Sequence, residues 1–88
     1  MQKETKKLQV IKIPKEQSHT IAQRLQFAMK VRGYSQNELA ECIFVTRTTI
    51  NGYCKGYRTP NCDLLRRIAI ELNITTDYLL GLKDYIIL

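Results

Sequence analysis

The chain has no tryptophan, a single histidine, two prolines and four glycines. It also has no apolar run near the ~18 residues that a membrane-crossing helix needs. With His19 alone, no histidine cluster exists for a metal or for acid–base work. No glycine-rich phosphate loop and no paired-carboxylate constellation appears either, so an enzyme is not expected, nor a cofactor. The three cysteines, Cys42, Cys54 and Cys62, are odd in number and irregularly spaced. That excludes a disulfide framework and the C-x-x-C pairs of a structural zinc site. They are expected to be reduced, buried and apolar in character. Residues 1–15 are basic and polar, without the apolar stretch of a secretory signal, so the expected location is the cytoplasm.

What is present fits one small globular domain of 88 residues, 44% hydrophobic and 25% charged. The net charge is +6, and it is uneven. Residues 1–34 carry eight Lys or Arg against two Glu, residues 35–60 are nearly balanced, and residues 61–88 are slightly acidic. A basic surface favours polyanions such as nucleic acid, although a solvated surface looks the same by composition.

Three segments can be told apart. Residues 1–19 form a basic arm around Lys3, Lys6, Lys7, Lys12 and Lys15. Within it, the alternating stretch Leu8 to Ile13 has strand character and Pro14 ends it. Residues 20–81 carry helical signals throughout. Residues 82–88 are an apolar tail ending Tyr85-Ile86-Ile87-Leu88.

The helical region reads as five helices. The first starts near Ser18 or Thr20, presents Ile21, Ala22, Leu25, Ala28 and Met29 on one face, and stops at Gly33. Phe27 lies off this stripe. Ser35-Gln36-Asn37-Glu38 is a capping box that opens the second helix, with Leu39, Ala40 and Ile43 as its apolar face. Thr46 caps a third helix through Cys54, with Ile50 and Tyr53 inward and Gly56 as the stop. Asn61 caps a fourth, with the stripe Cys62, Leu65, Ile68, Ala69 and Leu72, ended by Asn73. Thr75 or Thr76 starts a short fifth helix closed by Gly81.

The second and third helices form the pair of interest. Ala40 is small enough for a close crossing, Val45 plugs the turn, and Ile50 anchors the third helix inward. Arg47, Thr48, Asn51 and Gly52 are then expected to face outward. That face is short-chained apart from Arg47 and has no acidic group to repel phosphate. A surface that meets DNA needs such donors, methyl groups and close approach.

With these residues in view, the chain resembles the Cro/CI-type, or XRE-type, helix-turn-helix domain of phage and bacterial regulators. The resemblance rests on Tyr34 to Ala40, on Thr46-Arg47-Thr48-Thr49-Ile50, and on Gly56 followed by Pro60. It extends to the core positions Leu65, Ile68, Ala69, Leu72, Leu79 and Leu80, and covers about Ile21 to Leu80. It implies an all-α, compact five-helix domain of the lambda-repressor type, with the third helix in the major groove of double-stranded DNA.

Carried over position by position, Arg47, Thr48 and Gly52 fall at base-edge contacts, and Ser35, Gln36 and Thr49 at phosphate contacts. Thr46 and Asn51 belong to the same surface, and Lys55 and Arg58 are expected to hold phosphates. The resemblance implies a transcriptional regulator, expected to act as a repressor. One recognition helix reads only a few base pairs, so a homodimer on an inverted repeat is expected. The alternative is a protein-interaction module, an antitoxin or adaptor using the arm or the tail. With so little chain after the fifth helix, any inducer is expected to act on this domain or on a partner.

Two departures from the family pattern carry expectations of their own. Phe44 stands where the inter-helix turn usually has Gly, so either the turn differs or Phe44 is strained and partly exposed. Met29 and Cys54 stand where an Arg–Glu pair is common, and the joint change predicts an apolar contact between the first and third helices.

Overall fold

The computed structural model describes residues 9–88. Lys3, Lys6, Lys7 and Leu8, assigned to the arm on sequence grounds, lie outside the described residues. Five helices follow one another: α1 (Ile21–Arg32), α2 (Gln36–Ile43), α3 (Arg47–Lys55), α4 (Cys62–Leu72) and α5 (Thr76–Leu80). The five-helix architecture implied by the family resemblance is therefore the one observed.

Each helix begins where a short polar side chain can satisfy an otherwise orphaned N–H group. The hydroxyl of Thr20 accepts from the Gln23 amide at 3.1 Å, that of Thr46 from Thr49 at 3.1 Å and that of Thr75 from Tyr78 at 3.0 Å. The Asn61 side chain accepts from Leu64 at 2.9 Å. At α2 the capping box closes both ways: Glu38 N–H donates to Ser35 Oγ, and Ser35 N–H donates to Glu38 Oε1. α1 and α3 end at Gly33 and Gly56 in the left-handed region.

α2 ends differently. Phe44 adopts φ 61° in the left-handed region and is 87% exposed. Phe44 thus holds a conformation that glycine adopts freely, at a cost on the order of 1 kcal/mol. Val45 N–H donates back to Ala40 O at 3.0 Å, and Val45 packs against the core.

One core serves all five helices. Leu25, Leu39, Ile50, Ile68, Leu72 and Leu79 are fully buried at its centre, with Tyr78 beside them. Phe27 is half-buried against it. Met29 and Cys54 meet across α1 and α3, with Cys54 Sγ 3.7 Å from Met29 Sδ and both side chains buried. The expected apolar contact is in place.

Three core assignments are corrected. Cys62 is exposed, because the first turn of α4 overhangs the core and its stripe goes under only from Leu65. Cys42 is exposed as well, so only Cys54 of the three cysteines is buried. Leu80 is exposed at the end of α5, where Tyr78 and Leu79 take the inward positions.

The helices are joined by a small element of a second kind. β1 (Val10–Lys12) pairs antiparallel with β2 (Tyr85–Ile87) in the register Val10↔Ile87, Ile11↔Ile86, Lys12↔Tyr85. Ile13 N–H extends the ladder to Asp84 O at 2.9 Å, and Leu88 N–H to Gln9 O at 2.8 Å. A two-stranded ribbon is marginal alone. Here Ile13 and Ile86 turn into the core and anchor it. The strand expected before Pro14 therefore finds its partner in the apolar tail.

A buried arginine ties the same end together. Arg24, 4% exposed, donates from Nη1 to Tyr78 O at 2.7 Å and Lys83 O at 2.9 Å, from Nε to Ser18 O at 3.0 Å, and from Nη2 to Asp84 Oδ1 at 2.5 Å. Its guanidinium carbon stands 5.4 Å from the centre of the Tyr78 ring, in cation–π range. Arg32 bridges the C-terminal cap of α4 to the ribbon through Asn73 O and Ile87 O, both at 2.8 Å.

Candidate nucleic-acid interface

α3 is nine residues long, and its sequence sorts into two faces by helical spacing. Ile50, Tyr53 and Cys54 are buried. Arg47, Thr48 and Lys55 are exposed, and Asn51 is half-buried. Between Thr46 and Lys55 no residue is acidic.

Of the residues singled out on sequence grounds, Ser35, Thr46, Arg47, Thr48, Lys55 and Arg58 are exposed, and Gln36, Thr49 and Asn51 are half-buried. Ser35 caps α2, and Gln36 is its first residue. Lys30, Tyr34, Ser35, Gln36 and Cys54 line one cleft of about 290 Å³. The Gln36 Oε1 atom is buried without a hydrogen-bond partner. The Thr49 hydroxyl lies 2.9 Å from that of Thr46, so one donates a hydrogen bond to the other at the start of α3.

Gly52 is the departure from expectation. It belongs to the outward face by spacing, yet it is buried. The Arg58 side chain lies over it: a Cβ added at Gly52 would be 3.4 Å from Arg58 Cδ and 3.5 Å from Cγ. The chain turns back at Gly56, where Tyr57 N–H donates to Gly52 O at 2.9 Å and Arg58 N–H to the same oxygen at 3.3 Å. This turn sets Arg58 across the helix.

The cations divide by what surrounds them. Arg24 is paired with Asp84, and Arg66 with Asp63 at 3.1 Å. Among the described residues Arg47, Lys55 and Arg58 form no ion pair. A cluster of unpaired cations on a face without carboxylates attracts phosphate oxygens.

Two supports were not legible in the sequence. Gln26 Nε2 donates to Cys54 O near the end of α3, and Arg67 Nη2 donates to Ile43 O at the end of α2. Both fix the angle of the α2–α3 pair from outside it. Neither residue type carries a signal for that role at those positions.

Two of the three thiols, Cys42 and Cys54, are poorly suited to nucleophilic chemistry. Burial pushes the Cys54 thiol up from its ordinary range. Desolvation, a hydrogen bond with Glu71 and the nearby carboxylates of Glu71, Glu41 and Glu38 push Cys42 up too. Both stay protonated at neutral pH, whereas a catalytic thiol needs its pKa lowered. Among the described residues no group of His, Cys, Asp and Glu is arranged to hold a metal ion. Nor is any helix there long and apolar enough to cross a membrane.

Two short capped helices, a tight turn plugged by Val45, a small residue at Ala40 and an outward face free of carboxylates define a helix-turn-helix. The chain belongs to the Helix-turn-helix family, of XRE type, whose profile matches residues 25–79. It is 37% identical over 65 residues to the HTH-type transcriptional regulator ImmR of Bacillus subtilis (strain 168), covering 74% of this chain. The chain spans about half the length of that relative, 50%.

Among solved structures it is similar to SinR, a master regulator for biofilm formation solved in complex with DNA. That likeness has a TM-score of 0.66 and 29% identity over 69% of this chain and 98% of the other. It is also similar to the SOS-response transcriptional repressor LexA from Eubacterium rectale, with a TM-score of 0.65 and 25% identity over 76% of this chain and 71% of the other.

Proposed function

We propose that the chain is a sequence-specific double-stranded DNA-binding transcriptional regulator, acting as a repressor, that reads the major groove with α3. The observation that carries this is the outward face of α3, which holds the unpaired Arg47 beside Thr48 and Asn51 with no carboxylate among them. ImmR is named as a transcriptional regulator, SinR was solved with DNA, and LexA is named as a repressor, so the relatives support the same reading.

In this reading Arg47 pairs with guanine O6 and N7, worth about 1–3 kcal/mol of discrimination, and Thr48 meets a thymine methyl. Ser35, Gln36, Thr46 and Thr49 hold the backbone on one side, aided by the N-terminal amides of α2. Lys55 holds it on the other. One recognition helix reads too few base pairs for useful specificity. A homodimer on an inverted repeat, with its α3 helices about 34 Å apart, supplies the rest. The function needs no catalytic residue or cofactor, and it belongs in the cytoplasm, where the DNA is.

A second role, as a surface for another protein, is favoured by the ribbon's outer face. Val10, Tyr85 and Ile87 are exposed on that face, with Val10 paired to Ile87. The same face is available for the dimer contact.

The test is selection from a random duplex pool at two salt concentrations. A DNA regulator enriches an inverted repeat and loses affinity steeply as salt rises. Salt-sensitive binding without an enriched sequence makes it a non-specific binder. Failure to bind at either salt removes the DNA reading and leaves the protein-partner role.

A further inference from the structure

Gly52 leaves the outward face of α3 without a side chain at a position where, by spacing, one would project beside Thr48 and Lys55. A glycine inside a helix costs about 1 kcal/mol relative to alanine. No positive φ requires one here, since those of the chain's glycines are at Gly33, Gly56 and Gly81. What fills the gap is the aliphatic stem of Arg58, with Cδ, Cγ and Cβ at 3.4, 3.5 and 3.9 Å from where a Cβ of residue 52 would be. The stem is held there by its own backbone, because Arg58 N–H and Tyr57 N–H both donate to Gly52 O. Beyond the stem, the guanidinium has no hydrogen bond or ion pair among the described residues, and the residue is exposed.

Resting on the DNA reading above, we infer that Arg58 is a base-reading residue, delivered from the α3–α4 loop across Gly52 in place of a side chain from the helix itself. Its target is a guanine, because the guanidinium fork matches O6 and N7 bidentately. Gly52 is then a positioning residue: it touches no base, and its missing side chain is the seat for Arg58. This differs from a phosphate contact, which changes affinity for all sequences alike.

The experiment measures affinities of wild type, Arg58→Ala, Gly52→Leu and the double variant for the selected duplex and its single-base substitutions. Wild type discriminates about tenfold or more at a guanine that Arg58 reads. Arg58→Ala abolishes that preference and leaves the positions read by Arg47 unchanged. Gly52→Leu displaces the stem and abolishes the same preference, and the double variant is no worse than Arg58→Ala. Gly52→Ala, whose Cβ only reaches ordinary contact, keeps the preference.

A uniform loss over all duplexes with a shallower salt dependence would make Arg58 a phosphate contact and overturn the inference while leaving the DNA reading intact. Normal base preference in a folded Gly52→Leu variant overturns it too. Should Gly52→Leu fail to fold, Arg58→Ala decides alone, since it alters an exposed side chain. If wild type itself enriches no sequence, the DNA reading fails first and this inference with it.

Discussion

The two ends of the molecule use the same residue type in opposite ways. At the ribbon end, Arg24 is buried and its guanidinium meets three carbonyls and a carboxylate. At the α2–α3 end, Arg47 and Arg58 are exposed and meet no acidic group among the described residues. A net charge of +6 counts these arginines alike. Their surroundings do not: a guanidinium saturated inside the fold holds structure, and one left open has donors for a partner. Composition counts every cation alike, while the structure separates those satisfied inside the fold from those left open.

The contrast is broken most forcefully at Arg24. Arg24→Met strands the carbonyls of Ser18, Tyr78 and Lys83 and leaves Asp84 without its pair. A loss of about 3 kcal/mol or more is expected. At roughly 4–8 °C per kcal/mol for a domain of this size, the melting temperature falls by more than about 10 °C. A thermal scan showing a drop of only a few degrees would mean the latch is not holding the end together.

Tyr78 comes next. It is fully buried, and its hydroxyl donates to Arg24 O at 2.7 Å. Tyr78→Phe is expected to cost about 1–2 kcal/mol in chemical denaturation, with the denaturant dependence unchanged. Burial pushes this phenol well above its ordinary value, against the opposing pull of Arg24. The folded protein thus holds a proton that the unfolded chain releases near pH ~10. Stability is present below that pH and declines as pH rises through and above it. Tyrosine absorbance during alkaline titration should show Tyr78 ionising only as the fold is lost. Ionisation with the helices intact would contradict this.

Phe44 has the opposite sign. Phe44→Gly relieves a left-handed backbone and removes an 87% exposed ring, so it is expected to stabilise by about 1 kcal/mol and raise the melting temperature. A lower melting temperature would show that the ring contributes packing that its exposure conceals. The smallest effect is expected at Asp84, whose side chain is 60% exposed. Asp84→Asn keeps an acceptor for Arg24 and should cost under about 1 kcal/mol.

The helices were legible because their signals are local. Thr20, Ser35, Thr46, Asn61 and Thr75 are caps by chemistry that needs no partner beyond three residues away. The Met29–Cys54 contact could be read as a joint change. The tail's role could not, because pairing residues 10–12 with 85–87 is a long-range choice with no local signal. Arg24 did leave a trace. It lies three residues after Ile21 and four before Ala28, within the apolar stripe of α1, where a charged residue signals a buried partner. Cys62 and Leu80 misled because spacing identifies a stripe but not where the core beneath it ends. At the interface, the outward side of α3 was readable from periodicity. The seating of Arg58 over Gly52 depends on how the loop returns after Gly56, which spacing does not carry.

The central claim is that the outward face of α3 reads base sequence, and Arg47→Ala tests it most directly. The measurement compares wild type and variant on the selected duplex and on a scrambled duplex of the same length, with melting temperatures matched. The account predicts about a tenfold loss on the selected duplex, little on the scrambled one, and an unchanged melting temperature. Equal losses on both duplexes, or none on either, would contradict it.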